Sequence, residues 1–228
     1  MDSGSQTPPG DPERAATYRL YGVDVEIDAP EPVRGLIEAR LPPMPPGLPA
    51  AERSSASPPP RRYRIRRGGG GSTEPERYSL DLDDAPAGHG FDLEGITHRV
   101  ESDVKLWVTS NTTQVVFVHA GVVAWSGRGL ILPGRSHAGK TTLVSALIAR
   151  GALYYSDDYA VLDHSGRVWP FPQSLAVRSG GDARVFTPPE QLGGRTGRGG
   201  IDVGWVIETR YEADSTFDPI SMSPGETA

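Results

Sequence analysis

One string constrains this chain more than any other: Gly134-Arg135-Ser136-His137-Ala138-Gly139-Lys140-Thr141 is a full match to the Walker A pattern GxxxxGK[ST]. The chain's own residue frequencies give roughly 0.004 chance matches. Only two lysines, Lys105 and Lys140, occur among its 23 basic residues, so a compact ammonium stands here where the chain otherwise uses guanidinium. The spacing has a mechanical basis. Two glycines let the backbone wrap closely enough for N–H groups to point at phosphate oxygens, and the following helix presents its positive end to the same anion. On this reading Gly134, Arg135, Ser136, His137, Ala138, Gly139, Lys140, Thr141 and Thr142 form a phosphate cradle. Lys140 reaches the β- and γ-phosphates of ATP, and Thr141 ligates Mg²⁺. The flanks agree. Residues 129–132 read as a short buried strand, and 141–150 as a helix with Leu143, Ala146, Leu147 and Ile148 on its apolar face and Gly151 as its stop.

Composition narrows the remaining choices. A net charge of −6 argues against a general nucleic-acid binder, which carries a basic surface. Cysteine is absent, which excludes thiol catalysis and Cys-ligated zinc. No apolar run is long enough to span a bilayer, and Met1-Asp2-Ser3-Gly4-Ser5-Gln6-Thr7 opens a segment without the apolar core of a signal peptide. The expectation is a cytoplasmic protein without a membrane partner.

Along the chain, residues 1–15 read as a disordered tail. A strand is predicted over 17–27, a short helix over 33–41 and a Pro/Ala/Ser-rich loop over 42–60. The run Arg61-Arg62-Tyr63-Arg64-Ile65-Arg66-Arg67 reads either as a nucleic-acid patch or as an edge strand with solvated arginines. The alternation of Tyr63 and Ile65 favours the strand. Residues 68–71 form a flexible glycine turn before another strand over 77–82. A small β-rich N-terminal region thus covers 16–103. The chemistry-bearing region covers 104–228, with strands predicted at 104–109, 114–125 and 152–155. A further strand over 159–162 pairs with 168–171 through Asp163-His164-Ser165-Gly166. Strands dominate around one central helix, so the fold class is a strand-rich α/β domain rather than a repeated βαβ alternation.

Asp157 and Asp158 fall at the carboxyl end of the strand after the Walker A helix, where ligands of open α/β sheets collect. Adjacent residues there point to different sides, so one carboxylate can hold Mg²⁺ while the other faces an incoming hydroxyl. A plain Asp-Asp at a loop start is the alternative. His119 sits in the apolar run Val115-Val116-Phe117-Val118-His119-Ala120-Gly121, where a satisfied core histidine and a functional one are both open readings. Gly121 points to a close backbone approach or a bulge.

The succession Val118-His119-Ala120-Gly121-Val122, the Walker A string, Ala152-Leu153-Tyr154-Tyr155-Ser156-Asp157-Asp158 and Leu175-Ala176-Val177-Arg178 resembles the catalytic domain of HPr kinase/phosphorylase. It is similar above all to the shorter HPr-kinase-related proteins found beside peptide-modification clusters. The resemblance implies a P-loop domain like that of phosphoenolpyruvate carboxykinase and an ATP- and Mg²⁺-dependent serine kinase acting on a peptide or protein. It implies Asp157 as the carboxylate that accepts the serine proton, with His119 beside it. Asp158 and Thr141 are implied as the magnesium ligands, and Arg178 as an arginine of the second family signature. Family members often form hexamers, so a homo-oligomer is also expected.

Two departures from the family stand out. The second signature carries a glutamate where this chain has Ala176 and continues differently from Ser179-Gly180-Gly181, which sets HPr itself and the reverse reaction aside. Ser223-Pro224-Gly225-Glu226 has a capping-box pattern that announces a helix just before the sequence stops, so a truncated kinase domain is expected. The competing readings are a nucleotide-binding module without catalysis and a small-molecule kinase.

Overall fold

Alternating apolar and charged residues build the first sheet. The computed structural model describes residues 15–49, 57–68, 75–134, 138–178, 184–209, 216 and 220–222. The tail predicted over 1–15 except its last residue, most of the 68–71 turn and the helix announced at Ser223 lie outside them, as do residues 50–56 of the proline-rich segment. The described residues divide into two units, drawn from Met1–Pro42 with Glu52–Thr112 and from Pro43–Ala51 with Thr113–Ala228.

In the first unit, the strand predicted over 17–27 is a hairpin of β1 (Ala16–Leu20) and β2 (Val23–Asp28). The chain turns at Tyr21 and Gly22, with φ of 49° and 82°. Tyr21 is buried, so its apolar character disguised a turn that Asn or Asp would have announced. Helix α1 (Val33–Glu38) follows as expected. Strand β3 (Arg61–Arg67) is central rather than an edge, since the sheet order is β1-β2-β3-β4-β5, with β4 at Tyr78–Leu82 and β5 at Ala85–Phe91. A central strand tolerates these arginines because Tyr63 and Ile65 face the core while the guanidinium groups meet carboxylates. Arg62 and Arg64 pair with Asp84 at 3.2 and 3.1 Å, and Arg66 with Asp28 at 2.8 Å. The charges of the run are largely matched.

The strand predicted over 104–109 is the second half of helix α2 (Leu93–Asn111). Its buried residues Ile96, Val100, Val104 and Val108 recur every four positions, a helical stripe whose β-branched side chains imitate a strand. Asp92 caps it by accepting the Gly95 N–H at 2.8 Å. The division between units therefore falls after α2, not at residue 104.

The second unit is organised on one long strand, β6 (Val115–Trp125). Residues 115–119 pair with β9 (Tyr159–Asp163). Residues 120–125 pair with β7 (Arg128–Pro133), while Val122–Ala124 on the opposite edge meet β8 (Leu153–Ser156). Beyond β7 come β14 (Ile201–Val206), β10 (Arg167–Trp169) and β9, and the β6–β9 pairing closes these five strands into a ring. β13 (Arg195–Thr196) adds to β8 in parallel, and β11 (Leu175–Arg178) pairs with β12 (Arg184–Thr187) in a separate hairpin.

Alternate residues of β6 serve two cores. Ala120, Val122 and Ala124 pack with Ile131, Tyr155, Ala160 and Val168. Val123, on the other face, packs with Leu130, Leu132 and helix α3 (Lys140–Ile148) through Val144 and Ile148. Leu143 and Leu147 support that cluster, as the predicted apolar face required, although Val144 is the more deeply buried. Gly121 lies under α3, where a Cβ would come within 2.7 Å of Val144 Cγ2. The close approach expected there is real. The molecule is thus a mixed α/β protein, rich in strands and poor in helices. Among the described residues no helix is long and apolar enough to cross a membrane.

Candidate functional site

The loop between β7 and α3 begins at Gly134 and ends at Gly139. Arg135, Ser136 and His137 lie outside the described residues. Gly139 holds φ at 85° and caps α3, a conformation that glycine adopts without strain. Gly134 is tightly packed, since a Cβ there would sit 3.2 Å from Ala138 Cβ. Lys140 is the first residue of the helix and is only 7% exposed. Its Nζ donates to the Gly134 carbonyl at 2.6 Å, so the ammonium folds back over the loop. Burial pulls its pKa down, while the charges of Asp157 and Asp158 work against that shift. Thr141 follows on the same turn, and Thr142 is exposed.

Asp157 and Asp158 occupy the break between β8 and β9, which both run antiparallel along the same strand, β6. The break is a built turn. The buried Ser156 hydroxyl accepts the backbone N–H groups of Asp158 and Tyr159 at 3.1 and 3.0 Å. The Asp158 carbonyl in turn accepts the Ala120 N–H at 3.1 Å. Such interruptions re-aim side chains out of the regular pleat.

The two carboxylates then diverge. Asp157 faces the helix: the Thr141 hydroxyl donates to its Oδ2 at 2.8 Å. Its Oδ1 is buried without a hydrogen-bond partner of standard geometry. Burial pushes the Asp157 carboxyl up to about 6; the Thr141 bond, Lys140 and the Ala176 amide pull it down, and the Asp158 charge adds to the rise. Asp158 faces His119, whose Nδ1 lies 3.4 Å from its Oδ1, with side chains 35% and 48% exposed respectively. His119 is therefore not a core histidine. Its ring meets Tyr159 edge-on at 6.0 Å, and Tyr159 in turn packs edge-on against Phe117 and Phe171.

No protein-family model matches this chain, and no curated protein matches it.

Five of the expected site residues, His119, Lys140, Thr141, Asp157 and Asp158, converge around the head of α3 and the β8–β9 break. The pairings differ from those the resemblance implied: Thr141 meets Asp157 instead of Asp158, and His119 meets Asp158 instead of Asp157. Arg178 ends β11, and its side chain lies outside the described part. Two contributors were missed. Ser156 shapes the acidic turn, and its Ser-Asp-Asp context is a readable signal, because a serine hydroxyl readily accepts amides two and three residues on. Thr209, whose hydroxyl donates to the Ala138 carbonyl at 3.3 Å, braces the loop from distant sequence and carried no local signal.

No cluster of three or more His, Asp or Glu side chains suited to a metal exists among the described residues. Mg²⁺ does not require one, because it keeps waters and substrate phosphates around one or two protein oxygens. The buried Oδ1 of Asp157, without a hydrogen-bond partner of standard geometry and beside the Thr141 hydroxyl, is the feature that fits such an ion.

Proposed function

We propose that this chain is an ATP-dependent phosphotransferase that moves a phosphoryl group to a hydroxyl of a peptide or protein, serine by its resemblance to HPr-kinase-related proteins. One observation carries the reading: the hydroxyl of Thr141, at the head of a helix entered through a glycine loop, is bonded to a half-buried aspartate whose neighbour is paired with a half-exposed histidine. A site that only bound an anion would need the loop and the helix end. The acidic turn across from them adds the parts for chemistry.

The backbone from Gly134 to Thr142 would hold the triphosphate, and Lys140 would turn from the Gly134 carbonyl toward the β- and γ-phosphates. Thr141 and one carboxylate of the Asp157–Asp158 pair would hold Mg²⁺, which when bound neutralises charge on the phosphate oxygens. The other carboxylate, with His119, would face the acceptor. Positioning and charge neutralisation account for most of the rate gain in such transfers. Arg178 would add positive charge from β11.

Titration of the full chain with a fluorescent ATP analogue, followed by single-turnover transfer of labelled γ-phosphate to a mixture of serine peptides, tests the reading. Binding with transfer is the expected result. Binding without transfer would leave a nucleotide-binding module in place of an enzyme, and no binding would end the proposal.

A further inference from the structure

We infer that Trp205 and Ile207 of β14 form the platform for the base of the nucleotide, so that the nucleoside leaves the glycine loop on the side away from the acidic turn. The inference rests on the proposed nucleotide binding. The loop and the acidic turn address only the triphosphate.

Strand order decides the direction. β8 and β9 run along the edge of β6 that faces away from β7, and β14 lies on the far side of β7. The glycine loop leaves the end of β7, between them. With the γ-phosphate toward Asp157 and Asp158, the α-phosphate and the nucleoside point across the end of β7 toward β14. β14 runs parallel to β7, so the two strands end at the same margin of the sheet. The Ile207 N–H donates to the Ile131 carbonyl at 2.8 Å, and the Thr209 hydroxyl donates to the Ala138 carbonyl at 3.3 Å. Pairing of Val206 with Ile131 sets Ile207 level with Leu132, about 7 Å short of Gly134 at strand spacing.

A bulge aims the platform. Ile201 and Val203 pack against the core inside the ring, and the register then shifts between Val203 and Trp205. Gly204 is the extra residue, at a point where a Cβ would lie 2.8 Å from Arg128 Cβ. The shift turns Trp205 out of that core and sets it opposite Leu130, which belongs to the core under α3. Alternation then puts Ile207 on the same face. Helix α3 is seated over β6 at Gly121, and Trp205 and Ile207 remain 46% and 41% exposed. Bulges beside binding sites re-aim side chains in this way.

Two adjoining apolar side chains, one of them aromatic, stand half open to solvent next to a loop built for phosphates. That surface suits a flat heteroaromatic ring, which stacks on an indole through its π-face. The occupant is the base of a purine nucleoside triphosphate, because the platform grips by area and the larger ring covers more of it.

Calorimetric binding of ATP, UTP and inorganic tripolyphosphate to the full chain, each with Mg²⁺, separates the base from the phosphates. The wild-type chain is expected to bind ATP about tenfold or more tighter than tripolyphosphate, with UTP between them. Trp205→Ala should bring ATP to within about twofold of tripolyphosphate and leave the affinity for tripolyphosphate unchanged. Trp205→Phe, which keeps a ring, should recover most of the preference. ATP, but not tripolyphosphate, should quench tryptophan emission, and the quenching should be lost in Trp205→Phe. Equal wild-type affinity for ATP and tripolyphosphate or for ATP and UTP, or an undiminished ATP preference in Trp205→Ala, would overturn the inference, while bound tripolyphosphate would leave the phosphate loop standing. Equal weakening of ATP and tripolyphosphate with a lower melting temperature would assign Trp205 to the fold. Altered sedimentation of Trp205→Ala with the ATP preference intact would assign the face to contact between copies. Either result overturns the inference. A wild-type chain that binds none of the three removes the nucleotide reading and this inference with it.

Discussion

The Thr141 hydroxyl and the Asp157 carboxylate, 16 positions apart in sequence, meet at 2.8 Å and join the head of α3 to the end of β8. The bond ties the glycine loop to the acidic turn, so a displacement of either is felt by the other.

Lys140 carries the first prediction. Lys140→Ala removes the ammonium that folds over Gly134 and should lower phosphoryl transfer by about a hundredfold or more, with weaker nucleotide binding. Far-UV circular dichroism should be unchanged. A variant with wild-type transfer would remove the loop from the mechanism.

Asp157 makes stability depend on pH. Its folded pKa, raised by burial to about 6 from 3.8, means that the native state holds the proton more tightly than the unfolded chain. The contribution to stability is therefore full below about 3.8 and is lost as pH rises through about 6. Asp157→Asn removes the cost of burying the ionised carboxylate and should stabilise the nucleotide-free protein at pH 7.5 by about 1–3 kcal/mol. The gain should fade toward pH 4, as read by chemical denaturation at both pH values.

Asp163 shows the opposite sign. Burial pushes its carboxyl up, but hydrogen bonds from Ser165, the Trp169 indole and the Arg167 amide outweigh burial and hold it at about 2. The stability it gives is present above about 3.8 and is lost as pH falls toward about 2. Asp163→Ala leaves Trp169 Nε1 without its acceptor and should cost roughly 1–3 kcal/mol at neutral pH, measured as a shift in denaturation midpoint.

Gly121 tests the seat of α3. Gly121→Ala places a methyl 2.7 Å from Val144 Cγ2 and should destabilise by about 1–3 kcal/mol. Adding Val144→Ala should return less stability than the clash removed, because it opens a cavity of its own. A neutral Gly121→Ala would show that the helix shifts freely.

The parts of the site that follow from local chemistry were legible in the sequence. Two glycines, a lysine and a threonine at fixed spacing placed the β7–loop–α3 unit, although the helix ends at Ile148, two residues before the predicted end, and Gly151, with φ of 95°, lies in the turn that follows. Asp163-His164-Ser165-Gly166 announced the β9–β10 turn. Errors came where two physical signals coincide in one residue type. Val104 and Val108 favour strands by their branching, yet they lie one helical turn apart. Tyr21 is apolar enough to hide a turn, and the arginines of β3 resembled an exposed edge because their acidic partners, Asp28 and Asp84, are distant in sequence. Which aspartate meets Thr141 and which meets His119 could not be read at all. That outcome depends on how Ser156 bends the junction between β8 and β9 against Ala120, a relation set only once β6 is in place.

The closure of β6, β7, β14, β10 and β9 on one another bears on how this half of the molecule comes apart. A belt without a loose end cannot peel from a margin, so its amide protons should exchange with deuterium as one cooperative block. Since residues on both sides of the His119–Ala120 step are stitched into that belt, the histidine and the acidic turn should keep their mutual geometry until the whole block opens.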